Sequence, residues 1–444
     1  MPGGADRASG PLPRPDSGPL DLSLLPDSAE VGATGRLSVS GLDLVDLADR
    51  FGTPLFVYDE AHLRERCRQA LSAWGDGVAY ATKAFLCRAM AQLAHAEGMC
   101  LDVSTGGELH VALAAGVPAE RLVLHGNNKS TEELTGAIGQ GVGRIVVDSF
   151  DEIARLARLL APGGDAAGHR ARVLVRVTPG VEAHTHEFVR TGQDDTKFGF
   201  GLASGAASEA VDRLRSVDGV ELVGVHAHIG SQVFRADSFA EEARILGRFF
   251  APLGLPELCV GGGLGVAYVA GEKAPTMAEW AGAVRSACDE VGVPAGTRIS
   301  AEPGRAIVAT AGITLYRVGT IKELPGLRTY IAVDGGMSDN PRPVLYGSGY
   351  EAFLPGDVLA DRPRAVRVVG KHCESGDLLV ADARVPAAVA VGDVLATPVT
   401  GAYGYSMASN YNKVPRPAVV FVAGGDARLV VRRETLDDLL RLDA

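Results

Sequence analysis

The sequence predicts two domains of different class, an α/β domain folded as a TIM-like (β/α)8 barrel and a C-terminal all-β domain. Apolar strand-like runs alternate with helix patterns from Val78 to Glu302, which is typical of a parallel barrel. After Arg305 the pattern changes to short strands between Gly- and Pro-containing turns, which is typical of a β-sandwich or β-barrel. The length of 444 residues also favours two domains over one.

Four segments are predicted along the chain. Residues 1–30 form a leader whose first part is rich in Pro, Gly, Ser and Asp, and we expect it to be disordered. It has no apolar core of the kind an export signal needs. Residues 31–58 are expected to join the β domain. Residues 59–310 form the barrel, and residues 311–444 form the C-terminal β domain.

Eight apolar runs are the expected barrel strands, with helix patterns between them. The runs are Val78–Ala81, Cys100–Val103, Leu122–Leu124, Arg144–Val147, Val173–Val177, Leu222–His226, Leu258–Val260 and Arg298–Ala301. One helix pattern opens with Ser149 and Glu152, a capping-box spacing. An open, doubly wound sheet is the alternative that the same alternation allows.

The all-β domain is predicted from six short strands and a terminal helix. The strands are Ile313–Val318, Tyr330–Val333, Val366–Val369, Leu378–Ala381, Pro417–Val422 and Arg428–Val431. The last helix is expected at Thr435–Leu442.

Composition excludes several classes of function. The chain is 46% hydrophobic and 22% charged, as expected for a soluble globular protein, and no apolar run is long enough to span a bilayer. Its net charge of −11 argues against a nucleic-acid or anionic-membrane partner. None of the six cysteines forms a CxxC pair, so neither a disulfide framework nor a zinc site is indicated, and a reducing cytoplasm fits.

Polar residues follow the predicted barrel strands, at the ends where barrel enzymes carry their chemistry. They are Lys83, His125, Asp148, Arg176, His226, His228, Gly261, Gly262, Gly263, Glu302 and Arg305. A lysine desolvated at such a position has a lowered pKa and can form a Schiff base with an aldehyde cofactor. An ordinary solvated lysine is the alternative for Lys83.

The other strand-end residues each allow a chemical and a structural interpretation. The glycines from Gly261 to Gly265 can bring backbone N–H groups to an anion, or simply form a tight turn. His226 and His228, like His184 and His186, have the spacing of a metal pair, but no HExxH-type motif accompanies them and no metal is expected. His228 could instead lie over an aromatic ring.

Two further groups carry possible chemistry. Glu302 could keep a pyridine nitrogen protonated, or pair with Arg305. Cys373 and Glu374 place a thiol and an acid in one loop of the β domain, where function often resides.

Taken together, these motifs resemble the alanine-racemase-like, fold-type III decarboxylases that depend on pyridoxal 5′-phosphate, and within them the diaminopimelate decarboxylase family. The resemblance runs from about Leu37 to the C-terminus. The stretches that carry it are Tyr80–Ala84, His125–Ser130, Lys197–Phe200, His226–Gln232, Gly261–Gly265, Glu302–Arg305, Asp334–Met337, Arg342–Tyr346, Cys373–Ser375 and Gly401–Tyr403. One departure is Phe85, where the family often has Asn.

The resemblance implies a role for each candidate residue. Lys83 would hold the cofactor covalently, His228 would stack on its ring, and Glu302 would pair with the ring nitrogen. The remaining cofactor-binding residues would be Ser231, Gly261, Gly262, Gly263, Pro303, Gly304, Arg305 and Tyr403. The implied substrate-binding residues are Arg305, Arg342, Tyr346, Glu374 and Tyr403. Cys373, supplied by the second chain of a homodimer, would be the proton donor.

The implied reaction is decarboxylation of meso-2,6-diaminopimelate, a small amino acid, to L-lysine and CO₂, the last step of lysine biosynthesis. A distal carboxylate needs a cation and a distal ammonium needs an anion, which Arg342 and Glu374 would supply. A related decarboxylase of another amino acid and a non-catalytic regulatory relative are the alternatives. The second would be expected to lack Lys83 or Cys373, and both are present.

Overall fold

A computed structural model describes residues 18–180 and 196–444. Within them the chain divides into two compact units. One comprises the described residues of Leu63–Val266 together with Lys273–Val308. The other comprises the described residues up to His62, with Ala267–Glu272 and Ala309–Ala444. The first is referred to below as the barrel unit and the second as the β unit.

The barrel unit contains eight parallel strands in chain order, as the sequence predicts. They are Ala79–Ala81, Cys100–Val103, Leu122–Leu124, Arg144–Val147, Ala171–Thr178, Val220–His226, Glu257–Cys259 and Arg298–Ser300. A short strand, Phe200–Gly201, also pairs with the fifth. The N–H groups of Ala79 and Ala81 donate to the carbonyls of Ala301 and Pro303, at 3.0 and 3.1 Å. These bonds join the first strand to the segment after the last, so the sheet closes and the open-sheet alternative is wrong.

Helices alternate with these strands because their apolar residues recur on one face. They are Glu60–Trp74, Arg88–Ala96, Gly106–Ala114, Thr131–Gln140, Phe150–Leu160, Ala206–Arg215, Ala236–Phe250, Met277–Glu290 and Arg305–Val308. The Ser149 side chain caps Phe150–Leu160 by accepting the Glu152 N–H. The Glu152 carboxylate instead binds Lys129 and the N–H of Asp148.

A layer of small and branched side chains supports the end of the barrel where the strands finish. Seven of the strands each contribute one member, and the layer consists of Ala79, Cys100, Val123, Val146, Leu174, Val223 and Cys259. Side chains two positions apart on a strand share a face. Asp102, His125, Asp148 and Arg176 therefore follow this layer on the same face of their strands, which brings polar groups together at one end.

The β unit has a mostly antiparallel sheet that includes an N-terminal strand. Its strands are Leu55–Asp59, Gly312–Leu324, Arg328–Val333, Arg364–Val369, Leu378–Val385, Val394–Thr397, Ala418–Ala423 and Asp426–Val431. Leu55–Asp59 pairs with Gly312–Leu324 and with Ala418–Ala423. A separate small sheet consists of Ala29–Val31, Leu37–Val39 and Leu42–Asp43. The remaining helices are Leu44–Phe51 and Arg342–Tyr346.

Two features of the β unit differ from the sequence prediction. The strand Val394–Thr397 was not predicted, although strands as short as three residues were predicted elsewhere in the chain. The helix predicted at Thr435–Leu442 is a single 3-10 turn, Asp437–Leu439. Leu436 and Leu440 remain 72% and 62% exposed, so no apolar face is buried to stabilise a longer helix.

The predicted leader also differs in its second half. Residues 1–17 lie outside the described residues, but from Gly18 onward the chain is packed. Leu20, Leu24 and Leu25 are buried, and Arg362 donates to the carbonyls of Gly18 and Pro19 at 3.0 and 3.2 Å. Apolar residues within this polar segment therefore anchor it.

Across residues 18–180 and 196–444, none of the helices has the length and apolar character needed to cross a membrane.

Candidate active site

Lys83 lies in a 3-10 turn, Thr82–Ala84, directly after the first barrel strand. The Thr82 hydroxyl donates to the carbonyl of Asp102 at 2.8 Å, which fixes the turn to the second strand. The Lys83 side chain is exposed. The lysine that the sequence predicted to be desolvated is therefore an exposed residue at the end of the first barrel strand.

Glu302 is held by two histidines in a buried cluster at the ends of the strands. His125 Nε2 lies 2.8 Å from its Oε1, and His226 Nε2 lies 2.9 Å from its Oε2. Burial alone would raise the pKa of Glu302, but the histidine charges and hydrogen bonds outweigh it and keep that pKa well below its usual value. Glu302 is thus a buried carboxylate that stays ionised.

The pKa values of the two histidines are shifted in opposite directions, although both rings bind the same carboxylate. Burial lowers the pKa of His226 to about 4, so it is neutral and its Nε2–H donates to Glu302. Burial also disfavours the charged form of His125, but the charges of Asp102 and Glu302 raise its pKa above its usual value. Their rings meet edge to face, with centroids 4.9 Å apart. Hydrogen bonds to both rings therefore stabilise the ionised form of Glu302.

The same three side chains could be considered as metal ligands, because their donor atoms lie within 4.8 Å of one another. The nitrogen–oxygen distances of 2.8 and 2.9 Å are those of hydrogen bonds. Ligand atoms around a tetrahedral zinc with bonds of about 2.0–2.1 Å would lie about 3.3 Å apart. We therefore interpret the cluster as a hydrogen-bonded carboxylate.

The possible metal pair His226 and His228 is directed at two different partners. His226 binds Glu302, whereas His228 Nδ1 accepts the N–H of Gly262 at 3.1 Å. Burial lowers the pKa of His228 well below its usual value, and the charges of Lys83 and Arg176 lower it further. His228 is therefore a neutral imidazole whose orientation is fixed by the glycine run. The pair His184 and His186 lies outside the described residues.

Three more charged groups surround this cluster. Arg176 NH1 lies 3.6 Å from Asp148 Oδ2, and Asp148 Oδ1 accepts the N–H of Gly199 at 2.6 Å. Asp102 was not predicted from the sequence, although it follows Cys100 with the two-residue spacing of a strand face. Burial raises the pKa of Asp102, whose Oδ1 lies 3.7 Å from His125 Nε2. The alternation within Cys100–Val103 is the signal that could have found it.

The glycine run is required by close backbone packing. A Cβ atom on Gly261, Gly262 or Gly263 would come within 2.3–2.4 Å of a carbonyl oxygen of a neighbouring strand end. Gly261 and Gly263 also have φ values of 66° and 115°. Two of the three N–H groups have side-chain acceptors, since Gly261 donates to Cys259 Sγ at 3.4 Å and Gly262 donates to His228 Nδ1 at 3.1 Å. The close packing excludes side chains from the run itself, so a phosphate could approach its backbone, and that role stays a prediction.

Arg305 and Ser231 lie together beside the glycine run in the barrel unit. Arg305 NH2 donates to Ser231 Oγ at 2.8 Å, and Arg305 is buried. Pro303 and Gly304 form the seam that closes the barrel next to Ala81, where a Cβ on Gly304 would lie 2.9 Å from that of Ala81. The structure thus brings Lys83, His228, Glu302 and the predicted phosphate-binding residues of the barrel to one rim.

The remaining predicted residues belong to the β unit. Arg342 is buried, donates to the Tyr350 hydroxyl at 2.5 Å and lies 4.4 Å above the Tyr268 ring. Burial opposes its charge, but the tyrosines outweigh burial and raise its pKa. Tyr346 and Tyr403 are half-buried, and Tyr403 has a φ of 59°. Cys373 and Glu374 are exposed in a loop.

Comparison with known proteins identifies the family to which this chain belongs. Residues 60–309 match the family described as pyridoxal-dependent decarboxylase, pyridoxal binding domain. The diaminopimelate decarboxylase of Mycobacterium tuberculosis is 48% identical over 429 residues, covering 92% of this chain and 95% of that protein. That of Bacillus subtilis is 46% identical over 427 residues, with the same two coverages. The chain belongs to the diaminopimelate decarboxylase family.

A solved structure of the family has the same fold. The diaminopimelate decarboxylase of M. jannaschii in complex with L-lysine superposes with a TM-score of 0.86 at 33% identity, covering 94% of this chain and 98% of that one. Family membership establishes the barrel with its β domain. The roles of individual residues in this diaminopimelate decarboxylase relative stay predictions.

Proposed function

We propose that this chain removes one carboxyl group from meso-2,6-diaminopimelate and releases L-lysine and CO₂, using pyridoxal 5′-phosphate. The observation that carries the chemistry is the buried Glu302 carboxylate, which two histidines keep ionised at the strand ends. The substrate rests on the likeness, over 92% of the chain, to proteins that carry this activity in their names.

The cofactor would be held by residues whose side chains or backbone suit its groups. Lys83 would supply the amine for its aldehyde, and the neutral His228 imidazole would lie against its ring. The phosphate would be bound by Ser231, Gly261, Gly262, Gly263, Gly304, Arg305 and Tyr403, with Pro303 shaping the turn. When bound, pyridoxal phosphate supplies the electron sink for the pair of electrons left by departing CO₂.

Glu302 would keep a proton on the cofactor's ring nitrogen. A carboxylate in contact with a neutral pyridine favours the protonated ring, because the positive charge then faces a negative one. His125 and His226 each occupy one lone pair of the two oxygens, so acceptor capacity remains for a third donor. The low pKa of Glu302 prevents it from taking that proton back.

Recognition of the substrate's far end is assigned to Arg342, Tyr346 and Glu374. Arg342 remains charged despite burial, since Tyr268 and Tyr350 surround its guanidinium. A fixed cation is what a distal carboxylate needs, and lysine or ornithine lacks that carboxylate. Glu374 would receive the distal ammonium.

We also propose a cytoplasmic homodimer in which Cys373 of one chain protonates substrate bound by the other. All six cysteines are unpaired, which is usual in a reducing compartment. The proposed cofactor-binding domain is residues 59–310, and the family match spans 60–309 of it.

The test is CO₂ release by the purified, cofactor-loaded enzyme across meso-diaminopimelate, L-lysine, L-ornithine and L-arginine. We expect turnover of diaminopimelate alone, with equimolar lysine formed. Borohydride treatment should attach the cofactor to the peptide that contains Lys83, as read by mass. If CO₂ is released preferentially from another amino acid, that amino acid is the substrate. If there is neither CO₂ release nor attachment of the cofactor to the Lys83 peptide, the chain is a non-catalytic relative.

A further inference from the structure

The loop that carries Cys373 is fixed at its base and exposed at its tip. It joins the strands Arg364–Val369 and Leu378–Val385. The buried carboxylate of Asp377 accepts the N–H of His372 at 2.9 Å and that of Met337 at 2.7 Å. Cys373 and Glu374 between these anchors are exposed. Something other than burial must therefore set the position of the thiol.

His372 forms the inner side of this loop. It is buried, its Nε2 lies 2.8 Å from the Ser338 hydroxyl, and its ring is 5.3 Å from that of Tyr411. Its Nδ1 lies 3.3 Å from Asn412 Oδ1. An amide oxygen only accepts, so Nδ1 carries the proton and donates to Asn412.

Asn412 also accepts the backbone N–H of Cys373, at 3.1 Å from the same Oδ1. A backbone N–H can only donate, so the atom that the Cys373 N–H meets is the oxygen of the side-chain amide rather than its nitrogen. The side chain of Asn412 thus joins two consecutive residues of the loop, one of which is Cys373 itself.

The backbone of Asn412 is left-handed, with φ 52° and ψ 24°. Among residues with a Cβ, Asn and Asp tolerate this conformation best. Lys413 follows with a φ of 55°. The chain thus adopts an uncommon conformation where the Asn412 side chain meets the loop.

We infer that Asn412 is a positioning residue that fixes the Cys373 backbone, and through it the thiol, for proton delivery. This rests on the proposed function, in which the Cys373 S–H bond breaks and its proton forms a C–H bond with the electron pair left by CO₂. The thiolate then recovers a proton from water. Asn412 takes part in no bond change, and its contribution is to hold the donor in one place.

Three substitutions of Asn412 distinguish the contribution of its side-chain oxygen from that of its left-handed backbone. Asn412→Asp keeps both the oxygen and the tolerance for φ above zero, Asn412→Gly keeps only the tolerance, and Asn412→Ala keeps neither. Lys413→Gly is the matched control, because it relaxes the adjacent left-handed residue and leaves Asn412 intact. All four variants are studied as cofactor-loaded enzymes.

The first readout is hydrogen exchange of the Cys373 amide, which does not depend on catalysis. We expect exchange to quicken at least tenfold in Asn412→Gly and Asn412→Ala, and to stay within threefold of wild type in Asn412→Asp and Lys413→Gly. In the wild type this amide should exchange at least tenfold more slowly than in an unstructured peptide. An unprotected wild-type amide, or no change in Asn412→Gly, would overturn the inference even if a variant failed to fold.

The second readout is the split between kcat and KM. We expect kcat to fall at least tenfold in Asn412→Gly with KM within threefold, and to recover in Asn412→Asp. Faster exchange with unchanged kcat would refute the positioning role while leaving the proposed reaction intact. A wild-type enzyme with a protected amide but no decarboxylase activity would refute the proposed function instead, and with it the catalytic role of Asn412.

Discussion

The Glu302 cluster and the Cys373 loop control reactive groups in opposite ways. Around Glu302, every important side chain is buried, and charge is fixed by contacts between side chains. Around Cys373, the reactive side chain is exposed, and hydrogen bonds fix the backbone through Asp377 and Asn412. One region sets a protonation state and the other sets a position.

This difference teaches what each region can do. A buried carboxylate between two histidines keeps its charge because the charges and hydrogen bonds of the rings outweigh the cost of burial. An exposed thiol has no such protection, but it is accessible from solvent. We therefore expect substitutions in the cluster to alter electronic properties of the bound cofactor, and substitutions in the loop to alter geometry or assembly.

The largest effect is expected from mixing two inactive variants. Lys83→Ala lacks the amine and Cys373→Ala lacks the proton donor, so each homodimer should lose at least about 10³-fold in turnover. At equal amounts about half the dimers are mixed, and each mixed dimer has one intact site, so about a quarter of wild-type activity should return. Activity is measured after subunit exchange has been verified.

Lys322→Ala is the control, because it removes an exposed lysine of the β unit and should remain fully active. If the mixed sample stays as inactive as its parents, Cys373 acts within its own chain and the contrast between the two regions is lost.

Glu302→Gln should have the next largest effect. Without the negative charge, the protonated form of the ring nitrogen is no longer stabilised. We therefore expect turnover to fall about 10²–10³-fold, the range for a buried electrostatic contact. Cofactor occupancy should change little, because Lys83 and the phosphate-binding residues are intact. Activity and cofactor content are measured on the same sample. Equal losses of activity and of cofactor content would mean that Glu302 has only a structural role.

Arg342→Ala should act on substrate binding. Loss of a charge-assisted contact to the distal carboxylate should raise the KM for diaminopimelate about 10- to 100-fold, equivalent to about 1.4–2.7 kcal/mol. Arg328→Ala is the control, since Arg328 is an exposed arginine of the same unit. An unchanged kcat/KM would remove Arg342 from substrate recognition.

These regions also show how far the sequence can be interpreted. The eight barrel strands were predicted because each is a contiguous apolar run, and Lys83, His228 and Glu302 were found because they stand where those runs end. Asp102 was missed because only the alternation of its strand marks it.

Asn412 could not be found from the sequence, since its left-handed backbone and its contact with Cys373 depend on residues 39 positions apart. The exposure of Lys83 was also misjudged, because a strand end can be open or closed depending on neighbouring loops. Contacts made across long separations leave no local pattern.

A buried carboxyl outside both regions provides the last and smallest expected effect. Glu242 lies in the helix Ala236–Phe250 with 0% exposure, and neither of its carboxyl oxygens has a hydrogen-bond partner among the described residues. Burial raises the pKa of Glu242 well above its usual value. Its contribution to folding is therefore complete below the unfolded pKa and is lost as the pH rises through the higher folded pKa.

Glu242→Gln should remove this dependence, because an amide of the same shape never ionises. We expect the free energy of unfolding of the variant to gain on the wild type between pH 5 and pH 8, by up to about 1.4 kcal/mol for each unit by which the two pKa values differ. Urea unfolding followed by tryptophan fluorescence measures the difference, because Trp280 is buried on the neighbouring helix Met277–Glu290 and Trp74 lies against it with ring centroids 4.7 Å apart. Glu241→Gln is the matched control, since the adjacent Glu241 is exposed and the same substitution there should leave the pH profile unchanged.

A Glu242→Gln profile parallel to that of the wild type would mean that Glu242 is paired or solvated in solution. In the Glu302 cluster two histidines stabilise a buried charge. At Glu242 none of the residues that the structure describes does so, and ionisation of Glu242 therefore lowers the free energy of unfolding.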